Sequence, residues 1–199
     1  MDHFSKKEQR YLEDTEFLIT KHTIIEKVKT LLGHIEQSLH KEINKHPLPA
    51  EVIQRSGKIS KGENYQGLPY LILDYPRKFN EGDIFAFRTM FWWGNFFSST
   101  FHLGGQHWAD HQETVIQHCS LLSGEDWYIC VNQSPWEYHY GDENYLWFDS
   151  LEKKQQLDLL QNHPFLKLSK KWDLKDQHLF SAEAPKAFAK AMEMIEQIS

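Results

Sequence analysis

The chain has 199 residues, of which 40% are hydrophobic and 25% charged, and its formal net charge is -6. These values fit one globular domain, which buries roughly 70% of its unfolded surface and needs no disulfide or metal to be stable. The negative balance argues against a general phosphate-binding surface, so no nucleic-acid partner is expected. The lack of an apolar run near 18 residues argues against a helical membrane span.

Two cysteines, Cys119 and Cys130, lie outside any CxxC pair and read as reduced core thiols. The polar start MDHFSKKEQR has no apolar signal segment, so a soluble, cytoplasmic protein is expected.

The first third, residues 1–46, reads as helical, with residues 55–199 forming a sheet and its packing helices. Residues 5–20 suggest a short helix with Phe17, Leu18 and Ile19 as apolar contacts. Thr23 with Glu26 matches a capping box. Ile24, Ile25, Val28, Leu31, Leu32, Ile35, Leu39 and Ile43 then recur at helical spacing. This helix should end near Lys45, ahead of Pro47.

The period then changes. LPYLILDY (68–75) reads as a strand, PRKFNEGD (76–83) as a turn and Ile84 to Trp93 as a long strand. Gly94-Asn95 suits a two-residue hairpin turn, and Phe96 to Leu103 returns. Gly104-Gly105 breaks the strand ahead of a helix from about Gln106 to Leu122. DWYICVN (126–132) is a further strand. Residues 134–144 read as irregular or as a short hairpin arm. Asp149 and Glu152 suggest a cap for a helix ending at His163-Pro164. FLKLSKKW (165–172) partly alternates, and its lysines 167, 170 and 171 suit a solvated edge strand. A last helix begins near Glu183 and buries Phe188, Met192 and Ile195. The expected fold is α+β: an antiparallel sheet of about five strands with long N- and C-terminal helices packed against it.

A two-residue turn would pair Trp93 with Phe96, Phe91 with Ser98, Thr89 with Thr100 and Phe87 with His102. Neither face of that hairpin alternates apolar with polar residues, so either helices cover both faces, which is the expectation, or one face is the floor of a cleft. Arg88 stands out there. A buried guanidinium keeps its charge and needs a partner. Asp74 on the neighbouring strand is one candidate; a ligand carboxylate or phosphate held by the planar fork is the other.

Two functional readings follow. One is a non-catalytic protein that binds a small molecule or a protein partner, with Arg88, Trp92, Trp93, Trp136, Tyr138 and Tyr140 lining an aromatic site. If the arm is instead an aromatic loop beside a catalytic pocket, Glu137 and His139, two apart, are the candidates for an acid/base pair. The other is a metal-dependent enzyme, such as a hydrolase. His107 and His111 lie about 40° apart on a helix and about 6 Å along it, and could share a divalent metal with His102 or a residue of the 136–140 arm. No HExxH, GxSxG or glycine-rich phosphate loop is present.

Overall fold

A computed structural model describes residues 3–53, 55–80 and 82–196. The elements in chain order are α1 (Lys6–Glu13), α2 (Thr15–Ile43), α3 (Ala50–Ile53), β1 (Lys58–Tyr65), β2 (Leu68–Asn80), β3 (Asp83–Trp92), β4 (Phe96–Gly104), α4 (Gln106–Gln117), β5 (Tyr128–Cys130), β6 (Tyr145–Trp147), α5 (Lys153–Asn162), β7 (Phe165–Asp173) and α6 (Gln177–Ile195). The fold is α+β, as expected. Its sheet has seven strands rather than about five, in the order β1-β2-β3-β4-β7-β5-β6, and every recorded strand pair is antiparallel. The two extra strands are β1, whose KISKGENY shows little hydrophobic alternation, and β6, which has three residues. The helices are not all terminal, since α4 and α5 fall between strands.

Local chemistry explains most shifted boundaries. α2 starts at Thr15 because the Asp14 carboxylate accepts the Phe17 N–H at 2.8 Å. Thr23 lies inside that helix, where its hydroxyl donates back to the Ile19 carbonyl at 3.1 Å and caps nothing. β2 runs through Pro76 to Asn80, with a register shift between Asp74 and Arg77 replacing the expected turn. α4 stops at Gln117, and a separate 3-10 turn covers Cys119–Leu122. α5 is capped reciprocally by Glu152 and Gln155 rather than by Asp149. α6 begins at Gln177 and contains Pro185.

The β3–β4 hairpin turns through three residues. Trp92 pairs with Phe96, and the Asn95 N–H donates to the Trp92 carbonyl at 3.1 Å. Gly94 takes a φ of 70° in this loop. The register is therefore one residue away from the expected one: Phe91 faces Phe97, Arg88 faces Thr100 and Phe87 faces Phe101. A one-residue slip moves every side chain of one strand to the other face. In the true register the faces segregate. Phe85, Phe87, Phe91, Phe97, Phe101 and Leu103 share one face with Leu71, Leu73, Leu166 and Leu168, and this face joins α2, α4 and α6 in the main core. Phe188 of α6 meets Phe87 edge-on at 5.3 Å, and Phe180 stacks on Phe97 at 4.6 Å. Helices thus cover one face, not both.

β7 corrects the edge-strand expectation. It lies between β4 and β5, and Lys167 is only 1% exposed.

Candidate functional site

The sheet face away from the core carries a polar row. Asp74, Arg88, Thr100, Ser169 and Tyr128 stand opposite one another across β2, β3, β4, β7 and β5. The adjacent row holds Ala86, His102 and Lys167. The segment from Val131 to Asn144 lies over these rows and supplies their partners.

Arg88 uses its Nε and Nη2 as a fork on the Asp74 carboxylate, at 2.6 and 2.9 Å. Its Nη1 donates to the Tyr138 hydroxyl. The guanidinium carbon also lies 5.0 Å from the Tyr138 ring centroid and 5.9 Å from that of Phe79. Burial is the largest influence and works against the charge, but the Asp74 hydrogen bond together with the charge interactions of Tyr138, Asp74 and Tyr70 outweighs it, and the pKa of Arg88 is raised. Tyr138 is pushed up to about 12 by burial, against the pull of Arg88. Asp74 is thus the partner of Arg88, and the guanidinium presents no fork to a ligand.

Lys167 donates to the Pro135 carbonyl at 2.8 Å and to the Glu137 carbonyl, with its ammonium 4.1 Å from the Tyr138 ring centroid. Burial pulls its pKa down to about 7. Beside it, His102 is pushed down to about 3, by burial first and then by Lys167 and Arg88. The His102 ring packs between Trp136 and Phe165, and its Nε2 has no partner. The Tyr140 hydroxyl meets Ser169 Oγ at 2.5 Å, and Ser169 in turn meets Thr100 Oγ1 at 2.8 Å. The buried Cys130 thiol is pushed up by desolvation, so it is a poor nucleophile.

Tyr65 at the end of β1 staples the overlying segment in place. Its hydroxyl oxygen accepts the N–H groups of Tyr138 and His139 at 2.7 and 3.1 Å. Glu137 Oε2 and His139 Nδ1 both lie 3.0 Å from the same hydroxyl. Glu137 and His139 are indeed brought together, 3.5 Å apart, and Glu143 holds the far side of the imidazole at 2.8 Å. Each of these groups has a partner within the protein.

The predicted aromatic lining divides between the two sheet faces. Trp92 packs on Tyr65 and Phe96 beside the polar rows. Trp93 packs on Phe91 at the core face. Trp136 is 48% exposed at the rim, and Tyr140 is stacked on Tyr145. A surface groove of about 550 Å³ is lined instead by Val131, Leu146, Leu151, Lys154, Asp158 and Leu159.

The three candidate histidines do not converge. His107 packs edge-on against Phe85 at 5.6 Å on the core side, with Nε2 4.0 Å from Glu51. His111 follows one turn later, and burial lowers the pKa of both. His102 belongs to the opposite face of the sheet. Among the described residues, no three His, Cys, Asp or Glu side chains converge as metal ligands.

The feature missing from the sequence reading lies at the other end of the molecule. Every described residue from His3 to Thr20 is exposed, and α1 buries no residue. Phe4, Tyr11, Leu12, Phe17, Leu18 and Ile19 are between 49% and 68% exposed. Phe17, Leu18 and Ile19 therefore make no core contacts, contrary to expectation. α2 reaches the sheet only near Lys21, whose ammonium lies 3.8 Å from Glu63. Helix length was the available signal. At about 1.5 Å per residue, 29 helical residues span roughly 44 Å, more than the diameter of a small domain. Among the described residues no helix is long and apolar enough to cross a membrane. The chain matches no protein-family model, no curated protein and no solved structure.

Proposed function

We propose that this chain is a non-catalytic interaction module that docks a protein partner through its N-terminal helical arm, residues 4–19. One observation carries the reading: six large apolar side chains stand exposed within 16 residues, five of them on two capped helices and Phe4 just before the first. Single exposed apolar residues are ordinary, whereas six large ones concentrated in one short arm suit an interaction surface. The arm is built as helix. Ser5 and Glu8 cap α1 reciprocally, and Asp14 caps α2.

The polar rows favour the partner reading over a small ligand held by Arg88. Arg88 and Asp74 satisfy each other, Lys167 is held by backbone carbonyls, and the segment above the rows is pinned by Tyr65 and Lys167. A metal-dependent reaction at His107 and His111 lacks a third convergent ligand among the described residues.

A photo-crosslinking residue at position 17 of the full chain, compared with one at position 136, tests the proposal. Protein adducts from position 17, lost when Leu18→Asp is added, are expected. Adducts from position 136 alone, or from neither position, would reject it.

A further inference from the structure

We infer that the partner of the arm is a second copy of this chain, bound antiparallel about a two-fold axis near Tyr11. This rests on the interaction reading above and names its occupant.

The apolar stripe of α2 does not stop where the domain stops. Phe17 precedes the buried Val28 by 11 residues, three helical turns, and Leu18 precedes the half-buried Ile25 by seven. The stripe that packs Val28, Leu32, Ile35 and Leu39 into the core therefore continues into solvent. Tyr11 and Leu12 extend the apolar surface onto α1, and Phe4 lies just before it.

The charges of the arm select the occupant. Lys6, Lys7 and Arg10 occupy its first half, and Glu13, Asp14 and Glu16 its second. Two of its carboxylates are already engaged, Glu8 by Ser5 and Asp14 by the Phe17 N–H. In an antiparallel pair centred on Tyr11, Lys6 of one copy stands opposite Glu16 of the other, and Phe4 stands opposite Leu18. Such an isologous interface is self-complementary and closes as a dimer. A membrane surface fits less well. From Phe4 to Ile19 there are three basic and four acidic residues, which offers an anionic bilayer no net attraction.

The area is sufficient. Large apolar side chains half exposed or more offer roughly 100 Å² each. Phe17, Leu18 and Ile19 are successive on a helix and do not all face one partner, so about five side chains per copy contribute, roughly 1,000 Å² across two copies, the size of weak, reversible interfaces. An interface of that size predicts a reversible dimer.

Sedimentation velocity of the full chain from about 1 to 200 µM covers the range where such an interface self-associates. The expected result is a concentration-dependent species of twice the 23.7 kDa chain mass. Phe17→Asp with Leu18→Asp should weaken association at least a hundredfold, with the melting transition of the monomer retained. Lys6→Glu should weaken it about tenfold, because the substitution acts twice across the two-fold. Adding Glu16→Lys to Lys6→Glu should restore it. A monomer throughout, a dimer indifferent to Phe17→Asp with Leu18→Asp, or a charge swap that restores nothing would each overturn the proposal. If the chain is monomeric but position 17 still crosslinks to another protein, the second copy falls and the interaction reading stands.

Discussion

Arg88 and Asp74 face each other across neighbouring strands and share a bidentate ion pair, with Tyr138 closing the remaining side of the guanidinium. The pair ties β2 to β3 and, through Tyr138, ties the overlying segment to both.

Removing one partner leaves an uncompensated charge in a poorly solvated place. Asp74→Asn or Arg88→Met should therefore cost about 3–5 kcal/mol in urea unfolding. The double variant should cost clearly less than the sum of the two, because neither charge is then left alone. Additive losses would show that the pair is not coupled.

Lys167 makes stability depend on pH in the alkaline range. Its folded pKa, about 7, lies below the unfolded value near 10.5. Between those values the unfolded state binds the extra proton, so stability rises with pH across about 7 to 10.5, by up to about 1.4 kcal/mol per unit. Below pH 7 both states are protonated and this slope vanishes. Wild type should gain on Lys167→Met between pH 7 and 10 in parallel thermal melts. A constant difference across that window would contradict the assignment.

His102 acts on the acid side. Its folded pKa of about 3 lies below its ordinary 6.5, so the unfolded chain takes up a proton that the folded chain refuses. Stability from this group is complete above pH 6.5 and is lost as pH falls towards 3. His102→Leu should lose less stability than wild type between pH 7 and pH 4, measured by urea midpoints. An unchanged acid profile would show that His102 is not held neutral.

Two glycines with positive φ should respond differently to alanine. Gly94, at φ 70°, has no neighbour closer to a built Cβ than Leu68 at 4.0 Å, so only backbone strain of about 1 kcal/mol is expected. Gly105, at φ 58°, would drive its Cβ into Asp83 Oδ1 and place it 2.7 Å from the Gly82 carbonyl oxygen. Asp83 also accepts the Gln106 N–H at the start of α4. Gly105→Ala should therefore cost roughly 2–4 kcal/mol. Equal losses in chemical denaturation would refute the distinction.

Local signals carried much of the fold. The 3.6-residue stripe from Ile24 to Ile43 places α2 on the core, and the β3 and β4 strands with their glycine-bearing turn follow from the sequence pattern. Asp74 was identifiable as a partner for Arg88, because a charge that cannot be shed requires one nearby. The register was not legible, since a two-residue and a three-residue loop differ by one position around the same Gly94. That single step redistributes the side chains of β4 and creates a polar face where two mixed faces were expected. The short β6 and the weakly patterned β1 offered too little periodicity to be seen.

By itself, the sequence determined the α+β class, the helix that anchors the core and the strands that meet it, because those depend on spacing along the chain. Tertiary structure alone decided which charged groups are buried and which apolar groups are not. Lys167 is enclosed because carbonyls at Pro135 and Glu137, about thirty residues away, come to meet it. Phe17 and Leu18 are exposed because the sheet ends before the helix does. Both outcomes depend on what lies opposite a side chain in space, and spacing along one chain does not encode that.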